Sequence, residues 1–277
     1  MTISKMATLY LVGTPIGNLE DMTFRAVRIL KEVDLIAAED TRHSKRLLDH
    51  FQISNQLISY HEHNENECSE KIIQNLLSGK SVALITDAGT PCISDPGEVL
   101  VQKCIKNKIK VEWIPGPCAL IGALAVAGLD TTQFIFIGFL SASSHQRKKE
   151  LLELSIERRT LIFYESPYRI QEFLEDAKIC LGDRKICMAR ELTKQFETIL
   201  YGTISEVINE CKTAVLKGEF VVVIDGALEK NNWDHLSFEE HLEQLILKTG
   251  LSKKEAMILL AHIRGISKRE IYKEISE

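Results

Sequence analysis

The chain has 277 residues, of which 45% are hydrophobic and 26% charged, a composition that excludes wholesale disorder and suits one large or two ordinary domains. Its 39 acidic residues outnumber its 34 basic residues, and the net charge of −5 argues against a basic coat for non-specific nucleic-acid binding. The seven cysteines form no C-x-x-C pair, and no apolar run reaches the roughly 18 residues of a membrane span. We therefore predict a protein of the reduced cytoplasm, without a metal site or a disulfide framework.

Short apolar runs alternate with helical patterns through the first 117 residues. The first apolar run stops at Gly13, so it is too short for a secretory signal and predicts a buried strand instead. Strands are predicted at 8–12, 34–40, 57–65, 81–89 and 110–117, and helices at 23–33, 44–51, 68–80 and 98–108. This alternation predicts an α/β domain with a mostly parallel sheet.

The second half repeats the alternation and then changes to helices alone. Strands are predicted at 134–140, 160–167, 185–193 and 219–226, and helices at 119–129, 143–159, 168–182 and 205–218. From Asn231 the strands cease, and two or three helices follow. The predicted fold class is α/β, with an N-terminal domain at 1–117, a C-terminal domain at 118–228 and a helical tail at 229–277.

Three glycine- and proline-rich turns follow three of the predicted strands, in the segments 11–21, 85–98 and 113–124. They contain neither G-x-G-x-x-G nor G-K-[ST], which argues against a dinucleotide fingerprint and a P-loop. Ligands of α/β sheets lie beyond the carboxyl ends of strands, and Asp87 there suits a ribose hydroxyl or an amino group. The turns together predict a pocket for a polar small molecule. An ordinary strand-to-helix turn remains open for the first segment, and close helix packing for the alanines of the third.

Seven segments, in this order, carry a family resemblance: GTPIGNLEDMTFRA, AEDTR, DAGTPCISDPG, PGPCALIGALAVAGL, FIGFL, FYESPYR and AREL-TK-FE. Over about residues 7–228 the chain resembles the ribosomal small-subunit RNA cytidine 2′-O-methyltransferases of the tetrapyrrole methylase superfamily. The resemblance implies two α/β domains with S-adenosyl-L-methionine in the cleft between them. It also implies a homodimer that methylates the ribose of a cytidine in small-subunit (16S) ribosomal RNA, either free or in the assembled subunit.

The same resemblance implies which residues bind the cofactor. They are Pro15, Asp87, Gly89, Ile93, Ser94, Cys118, Ala119 and Tyr164. Cys118 departs from the pattern, because many relatives have serine there. The DAGTP loop replaces the plainer G-D-P turn of porphyrin-precursor methylases, which favours the RNA-modifying branch.

Methyl transfer to a ribose oxygen needs alignment and a place for the 2′ proton. The candidate catalytic residues are Asp40, Arg42, Glu165, Arg190 and Glu191, and His61, Arg169 and Lys194 are candidates for RNA binding. Alternatives remain open at this point. Glu165 or Glu191 would pair structurally with Arg169 or Arg190, Asp40 with Arg42, and His61 and His63 would be ordinary surface histidines.

Two segments supply local positive charge. One is HQRKKE (145–150) with Arg158 and Arg159, which predicts a basic face. The other is 251–273, with six bases, two acids and a helix–turn–helix pattern in which Ser252 and Ser267 are the predicted N-caps. Its candidate RNA-binding residues are Lys253, Lys254, Arg264, Lys268 and Arg269. The alternative is a solvated helical cap that packs on the dimer.

Two other functions fit parts of the pattern. A tetrapyrrole-precursor C-methyltransferase would use the same fold without RNA or a helical tail. A non-catalytic RNA-binding module would keep the pocket as a relic and would not bind the cofactor.

Overall fold

A computed structural model describes residues 7–214, 216–227, 236–267, 269–271 and 273. The chain divides into two compact units, of which the first ends at Ala119 and the second begins at Leu120. No helix in the described ranges is long and apolar enough to cross a membrane.

The first unit is a parallel sheet covered by helices on both faces. Its strands are β1 Thr8–Val12, β2 Leu35–Ala38, β3 Leu57–Ser59, β4 Val82–Ile85 and β5 Lys110–Ile114. Its helices are α1 Phe24–Glu32, α2 Thr41–His50, α3 Glu65–Leu77 and α4 Glu98–Lys106. The strand order is β3-β2-β4-β1-β5, and every pairing is parallel, which confirms the predicted α/β sheet.

Alternate side chains of each strand enter different halves of this core, as the period of two in a strand requires. On one face Val12 and Ile36 pack with Leu30 of α1 and Leu48 of α2. On the other face Leu9 and Leu35 pack with residues of α3 and α4. The central strands β2 and β4 are therefore buried on both sides, and all five carboxyl ends lie along one edge of the sheet.

Helix α5 Ala119–Val126 begins at the last residue of the first unit, and the second unit then contains β6 Phe134–Gly138, α6 Ser144–Glu153, β7 Thr160–Glu165 and α7 Ile170–Leu181. It continues with β8 Lys185–Arg190, β9 Thr198–Thr203, α8 Ile204–Cys211, β10 Phe220–Ile224, α9 Phe238–Thr249 and α10 Lys253–Arg264. The strand order is β6-β7-β10-β8-β9, where only β6 and β7 pair in parallel. The sequence did not predict β9, and it predicted helices over 143–159 and 205–218 that are in fact shorter.

The tail helices share the hydrophobic core of the second sheet. Leu242 and Leu245 of α9 and Leu260 of α10 are buried with Phe163 of β7 and Phe173 of α7. Capping boxes at Ser237 and Ser252 begin the two helices. Beyond α10 the described residues 269–271 and 273 are helical, and the Ser267 hydroxyl accepts from the Glu270 amide, as predicted for an N-cap.

Candidate functional site

The candidate pocket residues of the first unit lie at the carboxyl edge of its sheet. The loop after β1 carries Pro15, the loop after β4 carries Asp87 and Gly89, and the chain after β5 reaches Cys118. Because parallel strands end at the same edge, segments that are about 100 residues apart in sequence become neighbours. The three predicted turns therefore meet at one edge of the sheet.

Hydrogen bonds between the loops fix this arrangement. The Thr14 amide donates to the Gly89 carbonyl over 2.8 Å, and the Gly89 amide donates back to the Thr14 carbonyl over 3.1 Å. The Thr14 hydroxyl donates to the Thr86 carbonyl over 3.1 Å, and the Thr90 hydroxyl to the Pro117 carbonyl over 3.0 Å. The loops after β1 and β4 are thus tied through their main chains, and the Thr90 hydroxyl ties the loop after β4 to the chain after β5.

The two threonines belong to a repeated tripeptide that the sequence analysis did not single out. Gly-Thr-Pro occurs at residues 13–15, directly after β1, and again at residues 89–91, after β4. In each copy the threonine hydroxyl bonds a carbonyl of a neighbouring loop. The repeat at equivalent strand ends was the signal that identifies Thr14 and Thr90 as supporting residues of the site.

Close backbone packing explains two glycines at this edge. A Cβ on Gly13 would lie 2.8 Å from the Gly116 Cα, and the reverse substitution would clash equally with Gly13. Only glycine at both positions allows the loops after β1 and β5 to approach this closely.

The loop between Asp87 and Gly97 has an unusual backbone. Cys92 and Ser94 have φ values of 71° and 59°, a region that costs a residue with a side chain about 1–3 kcal/mol. Gly97 at φ 145° has no room for a Cβ, which would lie 2.6 Å from the Cys92 sulfur. Ile93, between the two strained residues, is 37% exposed. The loop therefore presents Ile93 and Ser94 to the surface in a fixed conformation.

Acidic groups gather where β2 and β4 end. The Asp40 amide donates to the Asp87 carboxylate over 3.0 Å, and Glu39 is half-buried beside Asp87. Burial raises the pKa of Glu39, and the negative charge of Asp87 raises it further. The edge of the sheet is consequently a region of negative potential, which attracts cationic and hydroxyl-bearing groups.

Asp40 and Arg42 form the internal pair that the sequence left open. The Asp40 carboxylate caps α2 through the amides of Arg42 and His43, and it also accepts from the Arg42 guanidinium. These bonds lower the pKa of Asp40 to about 2. Asp40 is thus ionised at neutral pH, and both side chains order the start of α2.

His61 lies at the end of β3, next to the acidic edge. Its ring centroid is 5.9 Å from that of His63, and its Nδ1 is buried without a hydrogen-bond partner in the described part of the chain. Across the described ranges no three His, Cys, Asp or Glu side chains gather as a metal site would require.

Tyr164 connects β7 to the start of α5 in the second unit. Its hydroxyl accepts from the Leu120 amide over 3.1 Å, and its ring contacts Phe136 and Phe139 edge-on. Ala119, the first residue of α5 and the last of the first unit, is half-buried. Tyr164 thus holds the first turn of α5 to β7 within the second unit.

Glu165 and Arg169 also pair with each other. The Glu165 side chain is completely buried, and its carboxylate accepts from the Ser166 amide over 2.7 Å and lies 3.3 Å from the Arg169 guanidinium. Arg169 further donates to the carbonyls of Leu140 and Ser141. Burial raises the pKa of Glu165, while the Ser166 amide and Arg169 oppose that rise. This pair holds the end of β7 to the loop after β6.

Glu191 pairs with Lys194 rather than with the neighbouring Arg190. The Lys194 ammonium donates to the Glu191 carboxylate over 2.7 Å and to the Glu219 carboxylate over 2.8 Å. Burial alone would raise the pKa of Glu191, but the bonds from Lys194 and the Glu219 amide outweigh it and lower that pKa. Arg190 donates through Nε to the Lys217 carbonyl over 2.6 Å.

The sequence predicted a basic face on α6, and this prediction is wrong for Arg147. This side chain is fully buried, and its guanidinium donates to the Asp176 carboxylate over 2.8 Å and lies 3.3 Å from Glu172. Arg159 pairs with Glu157 through two hydrogen bonds. Helical periodicity could not distinguish Arg147 from its exposed neighbours, because its acidic partners lie about 25 to 30 residues further along the chain.

The predicted RNA-binding residues of the tail fall into different environments. Lys253, Lys254 and Arg269 are exposed, and Lys268 lies outside the described residues. Arg264 instead donates to His241 Nδ1 over 3.1 Å and to the Leu236 carbonyl over 2.8 Å, with its guanidinium over the Phe238 ring. The side chain of Arg264 therefore joins α10 to α9.

Residues 8–208 match the sequence pattern of one protein family, the Tetrapyrrole (Corrin/Porphyrin) Methylases. The chain belongs to this family. Among its relatives are proteins named ribosomal RNA small subunit methyltransferase I. The one from Halalkalibacterium halodurans is 48% identical over 96% of this chain and 93% of its own length, and the one from Bacillus subtilis is 46% identical over 97% and 94%.

Solved structures of two methyltransferases show the same fold. A cobalt precorrin-4 methyltransferase has a TM-score of 0.59 at 16% identity, and the comparison covers 81% of this chain and 97% of that enzyme. Uroporphyrin-III C-methyltransferase from Thermus thermophilus, solved with S-adenosyl homocysteine, has a TM-score of 0.56 at 19% identity over 78% and 97% of the two chains.

Family membership makes the chain a methyltransferase that uses S-adenosylmethionine. The acidic edge of the first sheet fits that cofactor chemically, because the molecule carries a sulfonium and an ammonium charge together with ribose hydroxyls. Asp87 offers the carboxylate for those groups, and the loop at 88–94 offers main-chain donors and acceptors. When bound, the cofactor supplies an electrophilic methyl group.

Proposed function

We propose that the protein transfers a methyl group to the 2′ oxygen of a cytidine ribose in small-subunit (16S) ribosomal RNA, in the cytoplasm and as a homodimer. The relatives named ribosomal RNA small subunit methyltransferase I, which align over nearly the full length, are the observation that carries this proposal. The ordered motif set and the exposed lysines of the tail agree with it.

The roles of individual residues are part of the proposal. Pro15, Asp87, Gly89, Ile93, Ser94 and Cys118 of the first unit, and Ala119 and Tyr164 around α5, hold the cofactor. Asp87 binds hydroxyl or amino groups, while the fixed loop at 88–94 sets the position of the molecule. Such positioning can contribute roughly 7–11 kcal/mol to a displacement reaction in favourable cases.

The candidate catalytic residues have different roles in this proposal. Glu191 is the carboxylate that orients the ribose hydroxyl, whereas Glu165, whose side chain is completely buried and bonded to the Ser166 amide and to Arg169, acts by holding the end of β7. Arg190 holds a phosphate, and Asp40 with Arg42 shapes the loop after β2. His61 and the exposed tail bases Lys253, Lys254 and Arg269 contact RNA. Arg169, Lys194 and Arg264 act indirectly, because their charged groups are engaged within the protein.

The test is a methyl-transfer assay with labelled S-adenosylmethionine and three substrates: deproteinised small-subunit RNA, assembled small subunits, and a uroporphyrinogen. The ribosomal substrates come from cells that lack the enzyme, so the target is unmodified. Label on a cytidine ribose is the expected result. Label on the uroporphyrinogen alone would favour a tetrapyrrole methylase, and RNA binding without cofactor binding would favour a non-catalytic module.

A further inference from the structure

Helix α5 differs from the other helices because it has no polar side chain. Its sequence is ALIGALAV, whereas every other helix in the described ranges contains a charged residue. A helix that is apolar all round is normally buried. Ile121 is nevertheless 51% exposed and Val126 42% exposed, and Ala125 is exposed as well. The helix therefore presents an apolar face to solvent.

The remaining sides of α5 are held by contacts within the second unit. Ala123 is completely buried, and the Leu120 amide donates to the Tyr164 hydroxyl over 3.1 Å. Gly122 faces the loop after β8, because a Cβ at this glycine would lie 3.9 Å from Leu192 Cδ1. These contacts fix which face of α5 is exposed.

Tyr201 of β9 extends the exposed face. It is 53% exposed, and its hydroxyl donates to the Val126 carbonyl over 3.0 Å. This bond satisfies the hydroxyl and also one of the carbonyls that the end of a helix leaves unpaired. A partner could therefore bury Tyr201 and the end of α5 without leaving either group unsatisfied. We call Ile121, Ala125, Val126 and Tyr201 the α5 face.

The outer edge of β9 lies beside the α5 face. β9 is the last strand in the order of its sheet, and among the described strands it pairs only with β8. Edge strands commonly carry charges or proline, which discourage pairing with another chain. The sequence TILYGT has neither. Two copies of this strand related by a twofold axis would be antiparallel, so the edge is compatible with its own copy.

The chemistry of the α5 face favours a second copy of the chain as its partner. A twofold interface brings the same patch of both subunits together, so a charged residue near the axis would meet its own charge. The α5 face has no charged side chain, and its aliphatic and aromatic residues are typical of the core of an interface. RNA, by contrast, requires basic residues where it is bound.

We propose that two copies of the protein associate through the α5 face. This inference rests on the proposed function in one respect, because a homodimer is part of that proposal. It names the surface that forms the homodimer, and it does not depend on which substrate is methylated.

The first experiment measures the dissociation constant of the dimer by analytical ultracentrifugation. Ile121→Glu and Val126→Glu each place a charge on the α5 face, and each should raise the constant by about 30-fold or more, as expected for a central interface residue. Ile105→Glu is the matched control, because Ile105 is 66% exposed on α4 among charged residues. Its variant should dissociate like the unchanged protein, and all three should keep the original circular-dichroism spectrum.

Hydrogen exchange of the unchanged protein tests the same surface without a substitution. The amides of residues 119–126 and 198–203 should exchange more slowly above the dissociation constant than below it, whereas those of 98–106 in α4 should not change. A dimer that withstands both charged substitutions overturns the inference, as does one whose formation leaves the exchange of α5 and β9 unchanged.

The outcomes for the inference and for the proposed function are separate. A protein that is monomeric at every concentration overturns the inference together with the proposed homodimer, while methylation of small-subunit RNA would still support the enzymatic proposal. A dimer that forms through the α5 face but methylates no RNA supports the inference and overturns the enzymatic proposal.

Discussion

The carboxylate of Asp87 accepts a hydrogen bond from the Asp40 amide and faces the half-buried Glu39. Asp87→Asn keeps the shape and the acceptor oxygen but removes the charge. A hydrogen bond to a charged group contributes about 1.5–3 kcal/mol, so we expect the affinity for S-adenosylhomocysteine to fall about 10- to 100-fold. Isothermal titration calorimetry measures this change.

Asp34 provides the matched control for Asp87. Its carboxylate accepts a hydrogen bond from the Ser81 amide over 2.7 Å. Asp34 lies immediately before β2, however, and so at the amino edge of the same sheet. Asp34→Asn should leave cofactor affinity unchanged. Equal losses in the two variants would show that the fold rather than the Asp87 charge was affected.

Gly218 packs directly against the side chain of Glu191. A Cβ at this position would lie 2.3 Å from the Glu191 carboxyl carbon, and φ is +90°. We expect Gly218→Ala to reduce the free energy of unfolding by about 2–4 kcal/mol, because backbone strain and the clash with Glu191 add. Urea denaturation checks this value.

The control for Gly218 separates strain from steric clash. Gly250 ends α9 at φ 70°, and a Cβ there would meet no atom within 4 Å. Gly250→Ala should therefore cost only the left-handed backbone penalty of about 1–2 kcal/mol. If both variants lost the same stability, the tight contact between Gly218 and Glu191 would not matter.

At the scale of elements, the parallel half of the fold was predictable and the antiparallel half was only partly so. In the first unit β2 and β4 are buried on both faces, so they appear as continuous apolar runs. β9 lies at the edge of its sheet and has only half-buried and exposed residues, and its sequence TILYGT contains a glycine. It therefore lacks the apolar run that identified the other strands.

The site was predictable to the extent that its residues lie in turns. Pro15, Gly89 and Cys118 follow strands in sequence, and the parallel topology brings those turns to one edge. Sequence could not show which basic side chains are engaged within the protein, because partners such as Asp176 for Arg147 and His241 for Arg264 come from other helices. Periodicity gives the face of one helix but not what packs against it.

The capping box of α10 allows a comparison between two serine N-caps. The Ser252 hydroxyl accepts the Glu255 amide, whereas Ser143 at the start of α6 makes no capping bond through its side chain. Ser252→Ala should lower the free energy of unfolding by about 1 kcal/mol, and Ser143→Ala by close to nothing. Thermal and urea unfolding of both variants measure the difference. Equal effects would mean that the capping bond contributes no net stability.

The contact between α9 and α10 makes the tail sensitive to acid. Burial, together with the smaller effects of the charges of Arg264 and Lys248, lowers the pKa of His241 from 6.5 to about 4. The unfolded chain therefore binds a proton between pH 6.5 and 4 that the folded chain does not. Stability falls as pH falls through this window, by at most about 1.4 kcal/mol per pH unit from this residue.

Replacing His241 tests this linkage. In His241→Gln the decline of unfolding free energy between pH 6.5 and 4 should be shallower than in the unchanged protein, measured by urea denaturation at several pH values. His43→Gln, at an exposed position on α2, should keep the original pH dependence. An unaltered slope in the His241 variant would show that another group governs the response to acid.

At the scale of the whole molecule, the net charge of −5 requires that RNA binding depend on local bases. In the second unit Arg147, Arg169 and Arg264 are engaged within the protein, whereas Lys253 and Lys254 are exposed on the first turn of α10. The salt dependence of RNA affinity measures the number of such phosphate contacts, because each contact releases counterions on binding. The tail should therefore account for a measurable part of the salt dependence of RNA affinity.

The double variant Lys253→Ala/Lys254→Ala should reduce the slope of log Kd against log salt concentration by about 1.4–1.8, which corresponds to two lost phosphate contacts. Affinity for S-adenosylhomocysteine should not change, since cofactor binding is assigned to other residues. Lys80→Ala/Lys106→Ala removes the same charge from exposed positions of the first unit and serves as the matched control. If both double variants shift the slope equally, RNA affinity depends only on the total charge of the protein. The tail would then be a helical cap on the second core rather than an RNA contact.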